Sequence, residues 1–277
     1  MTMVKVSGNI AKMQTSLEDG EVRYLLPVGD ERVPMNDLIG KPLQLTYEGE
    51  INCVACGRKT KKSFSQGYCY PCFSSLAQCD MCIVKPETCH YFAGTCREPQ
   101  WGETHCMQDH YVYLANSSGI KVGITRGSQI PTRWMDQGAT QALPIFKVKN
   151  RLISGKLEVA IKQHVADKTD WRRMLKGEAE GIDLVARRDA LVAECQQEIQ
   201  QIKTEFGGDA LTYLDKESQV EICFPVTEYP AKVTSFNFDK TPLVEGRLMG
   251  IKGQYLIFDN GVINIRKFGG YRVTVTA

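Results

Sequence analysis

The chain has 277 residues, of which 43% are hydrophobic, and a formal net charge of +2 at pH 7. This length suffices for two compact domains with hydrophobic cores, and the composition excludes disordered and strongly basic proteins. No apolar run reaches the ~18 residues that span a bilayer, and the N-terminus lacks the features of a signal peptide. A cytoplasmic protein without membrane contact is therefore expected. Near-neutral charge does not exclude nucleic acid, because phosphate contacts depend on local clusters of Lys and Arg.

Short strands are predicted in the first segment, residues 1–50. Residues 4–10, 23–28 and 43–47 are the three strand-like runs, and turns that contain Gly and Asp separate them. This pattern predicts an all-β segment.

Nine of the eleven cysteines lie between Cys53 and Cys106, in a second segment, residues 51–108. In a protein that is not exported, such density favours metal ligation over disulfides. Cys53-x-x-Cys56 and Cys69-x-x-Cys72, separated by twelve residues, are typical of a zinc ribbon or knuckle. Each pair makes a tight turn that aims two thiolates at one tetrahedral Zn²⁺.

A second group of cysteines follows and offers more ligands than one site takes. The group consists of Cys79, Cys82, Cys89, Cys96 and Cys106, with His90, His105 and His110 nearby. The first four would complete a second zinc site, but Cys106 can replace any of them, so the choice stays open. An iron–sulfur cluster uses the same thiolates and is the alternative to zinc. Closed four-thiolate sites predict structural metal that supports binding rather than hydrolysis.

A basic loop separates the first two cysteine pairs. Its cations are Arg58, Lys59, Lys61 and Lys62, and the aromatic residues Phe64 and Tyr68 lie close by. Cations beside aromatic rings suit a loop that contacts phosphates and stacks on bases. A solvated basic loop is the alternative interpretation.

A β-hairpin is predicted in the third segment, residues 109–176. Residues 111–114 and 121–124 form two β-rich runs that a polar turn joins. A further strand is predicted at residues 143–148. Ser154 is expected to cap a helix in which Leu157 and Ile161 face the core and Glu158 lies on an adjacent edge.

An amphipathic helix is predicted in the fourth segment, residues 177–215. Its apolar residues recur at three-, four- and seven-residue steps and are Leu184, Leu191, Cys195, Ile199, Ile202 and Phe206. Gly207-Gly208 is expected to end it. We expect this helix to pack across the domain, and a partner-binding or dimerising helix is the alternative.

Four strands are predicted in the last segment, residues 216–277. They cover residues 243–250, 254–258, 261–266 and 271–276, and Asp259-Asn260-Gly261 is a strong hairpin signal. Together with the first segment, these strands are expected to form one small barrel or sandwich. The predicted fold class is therefore α+β: a small mixed sheet with flanking helices, a cysteine-rich region and β-rich ends.

The hairpin and the elements after it resemble the GIY-YIG nuclease superfamily over about residues 111–171. In that family two short motifs lie on adjacent strands, an arginine follows on the first helix, and a glutamate comes from a later helix. The matching positions are Tyr113, the triplet Lys121-Val122-Gly123, Arg133 and Glu158. The usual tyrosine of the second motif is replaced by Lys121, as in the phage-type branch with a Lys-Ile-Gly triplet. The whole chain also resembles a bacterial family of unknown function.

The resemblance implies a set of catalytic roles. Glu158 would hold one Mg²⁺ or Mn²⁺, and Arg133 would stabilise the scissile phosphate with its planar guanidinium. Tyr113, with Tyr111 on the same strand face, would orient or deprotonate the attacking water. Lys121 would act as a base or bind phosphate. Close approach of nucleic acid is expected at Gly123 and Arg126.

Three functions follow from these patterns. The first is a metal-dependent endonuclease that acts on nucleic acid, with DNA preferred over RNA as its partner. The second is a non-catalytic, zinc-containing nucleic-acid-binding protein, for which Lys121 in place of tyrosine is support. The third is a zinc-stabilised protein–protein adaptor. The oligomeric state stays open.

Overall fold

The computed structural model describes residues 5–165, 168–177 and 179–277, and in this part of the chain the α+β class is confirmed. The strands are β1 Lys5–Asn9, β2 Gln14–Glu18, β3 Glu21–Val28, β4 Glu31–Pro34, β5 Pro42–Asn52, β6 Lys59–Thr60, β7 His110–Asn116, β8 Ile120–Arg126, β9 Gln141–Val148, β10 Leu211–Tyr213, β11 Val220–Glu221, β12 Leu243–Lys252, β13 Tyr255–Phe258, β14 Gly261–Asn264 and β15 Tyr271–Thr276. The helices are α1 Tyr70–Ser75, α2 Met81–Val84, α3 Pro99–His105, α4 Thr132–Asp136, α5 Arg151–Ile161, α6 Trp171–Met174, α7 Leu184–Glu194 and α8 Gln196–Phe206.

The two ends of the chain share one antiparallel sheet. Its strand order is β1-β15-β5-β12-β13-β14, and β6 pairs with β5. The predicted hairpin at Asp259-Asn260-Gly261 is confirmed, since Phe258 pairs with Gly261 across a two-residue turn. Among the described residues β1 does not pair with β14, so the sheet stays open and does not close into the predicted barrel. Val4, in the first predicted strand, lies outside the described residues.

A second sheet, β2-β3-β4, packs with the terminal sheet around the largest hydrophobic core. Side chains from both sheets are buried there, including Tyr24, Leu45 and Val273. Trp134 and Met135 of α4 enter the same core. The terminal sheets therefore support the predicted nuclease-like segment from one side.

The central sheet has the order β10-β9-β7-β8, with β11 also paired to β9. The predicted hairpin is confirmed as β7 and β8, in register from His110↔Arg126 to Asn116↔Ile120. The strand predicted at residues 143–148 is found as β9, antiparallel to β7. Helices α5, α7 and α8 cover the face of this sheet that points away from the terminal sheets. They enclose a separate core that includes Leu114, Leu157 and Leu191.

The single helix predicted from Leu184 to Phe206 is wrong, because the chain forms two helices, α7 and α8. They meet at Cys195, a fully buried residue whose ψ of 17° departs from helical geometry. The break lets α8 turn against α5, where Lys156 pairs with Glu205 at 2.6 Å. Gly207 ends α8 at a positive φ of 95°, as its sequence predicted. Across the described residues, none of the helices has the length and apolar character needed to cross a bilayer.

Acid is expected to destabilise the fold through His110. This residue is fully buried on β7, and its Nε2 atom has no hydrogen-bond partner. Burial lowers the pKa of His110 to about 4 from 6.5. Below its ordinary pKa the unfolded chain binds the extra proton and the folded chain does not. Stability is therefore complete above about pH 6.5 and falls towards about pH 4.

Urea midpoints at about pH 7.5 and about pH 5.5 would measure this dependence in the wild type and in His110→Gln. We expect His110→Gln to lose roughly 1 kcal/mol less than the wild type between the two conditions. An equal pH dependence in the two proteins would contradict the assignment.

Candidate functional site

A cationic cleft of about 510 Å³ lies where the terminal sheets, the cysteine-rich segment and the central sheet meet. Its lining includes five cationic side chains, Lys12, Arg126, Arg133, Arg151 and Arg266, and two carboxylates, Asp136 and Glu158. The cationic excess suits an anionic ligand with several negative groups.

The floor of the cleft is built by the hairpin. Tyr113 is fully buried on β7, and its hydroxyl donates to Gln137 Oε1 at 3.0 Å. On the paired strand, a Cβ at Gly123 would lie 2.6 Å from that hydroxyl, so only glycine leaves room for the ring. Burial raises the pKa of Tyr113, and the guanidinium of Arg133 opposes this shift. The hydroxyl therefore remains protonated and lies beside Arg133.

Two arginines from distant parts of the chain face each other across the cleft. Arg133 lies on α4, and Arg266 follows β14 and donates to Gln66 Oε1 at 2.7 Å. Burial, and then the charge of Arg133, lower the pKa of Arg266. Two partly desolvated guanidiniums repel each other, and an anion between them would remove that cost.

Helix α5 brings Glu158 and Arg151 to the opposite wall. They are seven residues apart, which is two turns, and therefore share one face of the helix. The predicted cap at Ser154 is wrong: Asn150 caps α5 by accepting from the Ile153 amide at 3.0 Å, and Ser154 lies inside the helix. The half-buried carboxylate of Glu158 acts electrostatically on both Tyr113 and Arg151.

The second carboxylate of the cleft, Asp136, has a structural role. Its side chain is 4% exposed and pairs with Lys12 at 2.6 Å. It also accepts from Gln254 at 2.8 Å, so it connects α4 to both terminal segments. Glu158 is therefore the better candidate for a catalytic carboxylate.

Two of the predicted catalytic residues lie away from this centre. Lys121 is buried near the turn end of β8, and its Nζ donates to Thr169 Oγ1 at 2.7 Å. Tyr111 lies at the other end of β7, against Gly127, outside the residues that line the cleft. Gly123, Arg126, Arg133 and Glu158 line the cleft. Tyr113 is not part of the lining, but its hydroxyl lies against Gly123 and near Arg133 and Glu158.

The basic loop of the cysteine-rich segment is exposed, but its cations do not line the cleft. Arg58 donates to the Cys56 sulfur at 3.2 Å, and Lys59 pairs with Glu50 at 3.1 Å. Lys62 lies 5.2 Å above the Phe64 ring, and Lys61 is exposed. The segment contributes Ser65 and Gln66 to the cleft instead.

The first cysteine cluster can hold a metal ion such as zinc. The sulfurs of Cys53, Cys56, Cys69 and Cys72 all lie within 4.8 Å of one another, and those of Cys56 and Cys69 are 3.8 Å apart. A tetrahedral Zn²⁺ with Zn–S bonds of about 2.3 Å requires sulfurs about 3.8 Å apart. The donor set and spacing therefore fit zinc.

Thiolate formation is favoured at Cys53 and opposed at Cys72. Burial opposes ionisation of Cys53, but backbone amides, among them those of Cys56 and Cys69, donate to its sulfur and lower its pKa to about 6. At Cys72, burial and the neighbouring thiols raise the pKa to about 12. Four thiolates at this spacing repel one another, and a shared cation would stabilise them.

The remaining predicted metal ligands divide between two environments. Cys82, Cys89, Cys96 and Cys106 line one cavity, and Cys79 lies outside its lining. Asp80, Cys82 and His90 also bring ligand atoms within 4.8 Å of one another. Of the three histidines noted beside these cysteines, only His90 lines this cavity.

Sequence reasoning missed Lys12, Arg151 and Arg266 as residues of the cleft. Lys12 and Arg266 are 254 positions apart, and no local pattern connects them. One sequence feature could have identified Arg151 as a functional candidate. It is a cation in the first turn of a helix, where the helix dipole disfavours positive charge.

A family model described as "Protein of unknown function (DUF2797)" matches residues 40–273. No curated protein and no solved structure matches the chain.

Proposed function

Because the chain belongs to this family of proteins of unknown function, described as DUF2797, we propose its activity from the cleft: metal-dependent hydrolysis of phosphodiester bonds in nucleic acid, with DNA preferred over RNA. The observation that carries the proposal is the convergence of Tyr113, Arg133 and Glu158 around Gly123. These residues come from a hairpin, the helix after it and a later helix, in the order that the GIY-YIG resemblance implied.

The cleft has the charge distribution that this reaction needs. Hydrolysis adds a water oxygen to phosphorus, breaks one P–O ester bond and delivers a proton to the departing oxygen. Negative charge grows on the phosphate oxygens, and Arg133 is positioned to stabilise it through paired N–H donors. The buried, protonated hydroxyl of Tyr113 contacts Arg133 and holds its orientation.

Glu158 fits a role as ligand to one hard divalent cation. Its carboxylate lines the open cleft beside Tyr113, and a single carboxylate completed by waters suits Mg²⁺. When bound there, Mg²⁺ or Mn²⁺ would polarise the phosphate and acidify a coordinated water. The surrounding arginines keep the substrate phosphate close to that carboxylate.

A non-catalytic nucleic-acid-binding protein is the second candidate. The observation in its favour is that Lys121, which the resemblance placed at a catalytic position, is buried against Thr169 instead. Such a protein would keep the cationic cleft as a phosphate-binding surface. It predicts the same salt-sensitive binding but no chemistry.

A cleavage assay on the full chain separates the two candidates. Labelled duplex, single-stranded and branched DNA and RNA would be incubated with Mg²⁺ or Mn²⁺, and with chelator as the control. We expect cation-dependent cleavage with a preference for DNA. Salt-sensitive binding without cleavage would select the second candidate, and the absence of both would refute the proposal.

Arg266→Gln is expected to weaken nucleic-acid binding and to lower the salt slope of log K by about one unit, because one phosphate contact is lost. Fluorescence anisotropy with a labelled duplex over a range of salt concentrations measures both effects. The control is Lys267→Gln, since Lys267 is exposed, lies beside the Phe268 ring and does not line the cleft. Equal losses in the two variants would mean that general charge, rather than the cleft, binds the duplex.

A further inference from the structure

We propose that Cys82, Cys89, Cys96 and Cys106 hold a second four-thiolate metal centre, which fastens the cysteine-rich segment to the start of α5. All four side chains line one cavity beneath α3. Cys82 and Cys106 are 8% and 5% exposed, and the other two are half-buried. The sequence left open which four of the five cysteines in the second group bind metal, and the shared cavity selects these four.

Trp101 and Gly102 of α3 line the same cavity as the four thiols. Gly102 of α3 borders Cys96, since a Cβ at that glycine would lie 3.4 Å from the sulfur. The thiols come from α2, the turn after it, the loop before α3 and the end of α3, so one centre would connect four separate pieces of backbone.

Cys79 does not belong to this centre, although it forms a Cys-x-x-Cys pair with Cys82. The cavity that the other four thiols line does not include Cys79. The first cluster already offers four thiols, Cys53 among them, and does not need Cys79. Cys79 therefore belongs to neither group of four and serves as a matched control.

The group of Asp80, Cys82 and His90 is a weaker candidate for the metal. Asp80 forms an ion pair with Arg97 at 2.7 Å and caps α2 through the Cys82 amide at 3.1 Å. The guanidinium of Arg97 would repel a cation bound at this carboxylate. Asp80 and His90 are better placed to surround the thiolate of Cys82 than to replace its partners.

The spacing of the thiols leaves two metals to distinguish. Among the described residues, no three of these four sulfurs share the 4.8 Å spacing found in the first cluster. A zinc ion would draw the four segments inward, whereas an iron–sulfur cluster is larger and spans thiolates that stand farther apart. Both occupants need the same four ligands.

The proposed centre lies directly against the helix that carries Glu158. Arg151, at the start of α5, donates from Nη2 to the Ile83 carbonyl at 2.6 Å, and its amide donates to the Cys106 carbonyl at 2.9 Å. A Cβ at Gly155 would clash with the Glu87 amide nitrogen. Contacts this close tolerate little movement. The position of α5 therefore depends on residues 82–106 being well ordered.

Metal analysis of the full chain tests the proposal without reference to cleavage. Protein purified without oxygen would be assayed for zinc and iron per chain, with the visible spectrum as a second measurement. We expect about two metal sites per chain. A second zinc without visible absorbance indicates zinc, and iron with visible absorbance indicates a cluster. Either result supports the site, whereas a single zinc and no iron would overturn it.

Variants identify the ligands. Cys89→Ser and Cys96→Ser, at the two half-buried positions, should each lose the second centre and keep the metal of the first cluster. Cys79→Ser should keep both. Hydrogen exchange at α5 should increase in Cys89→Ser and remain unchanged in Cys79→Ser. Full metal content in Cys89→Ser and Cys96→Ser, or equal metal loss in Cys79→Ser, would contradict the assignment. An inactive protein with the expected metal content would refute only the proposed hydrolysis.

Discussion

Replacing Glu158 with glutamine is expected to slow cleavage by about 10²- to 10³-fold, the range typical of losing one group that stabilises the transition state. The amide keeps the shape of the side chain but loses the negative charge that would bind the divalent cation. Affinity for nucleic acid should be kept or increased, because a negative charge is removed from a cleft that binds phosphates. Initial cleavage rates and anisotropy titrations on the same preparations measure the two effects.

The matched control for this variant is Glu205→Gln. Glu205 lies on the neighbouring helix α8 and pairs with Lys156 of α5, so its replacement perturbs the same helix from outside the cleft. Exposed pairs of this kind contribute about 0–1 kcal/mol, so melting temperature and cleavage should change little. Wild-type cleavage by Glu158→Gln would show that another site or a contaminating nuclease is responsible.

Cys69→Ser is expected to release the metal of the first cluster and to disorder the ribbon around it. Cys69 is 2% exposed, and its sulfur belongs to the first cluster of four thiols. Structural zinc contributes about 10 kcal/mol or more to the folding of small zinc domains, because the site does not persist without the ion. In this larger chain we expect the loss to be local, since the main cores lie in the sheets.

Loss of this metal would also affect the cleft, because Gln66 lies between the two cysteine pairs and accepts a hydrogen bond from Arg266. Cys69→Ser should therefore lose about one zinc per chain and also bind nucleic acid more weakly. Elemental analysis, hydrogen exchange over residues 51–76 and anisotropy measure these effects. Cys223→Ser, at an exposed cysteine, is the control. Retention of zinc by Cys69→Ser would be incompatible with a four-thiolate site.

Local patterns predicted the hairpin well, because its signal lies in adjacent residues. Two β-rich runs joined by a polar turn are found as β7 and β8, and Gly207 ends α8. The same reasoning joined α7 and α8 into one helix, because Cys195 continues the apolar periodicity that the backbone interrupts. Periodicity indicates which face of a helix is buried, but packing in the core determines whether the helix remains straight.

The sequence predicted those site residues that match the order of the GIY-YIG motifs or lie close to them in the chain. Arg133 and Glu158 lie in the cleft, as do Gly123 and Arg126. Lys121 and Tyr111 sit on the same two strands and lie elsewhere, because strand position alone does not fix the distance from a helix that packs later. Arg266 enters from the far end of the chain, which no spacing rule anticipates.

The sequence by itself determined the α+β class, the hairpin, and the pairing of Cys53, Cys56, Cys69 and Cys72 into one group. These features depend on contacts between residues that are near one another in the chain, where turn geometry and ligand spacing leave few alternatives. Only the tertiary structure decided that both ends share an open sheet, that Arg266 faces Arg133, and that Cys106 rather than Cys79 joins the second cysteine group. Those contacts connect distant segments, and packing of whole elements, rather than local preference, fixes their distances.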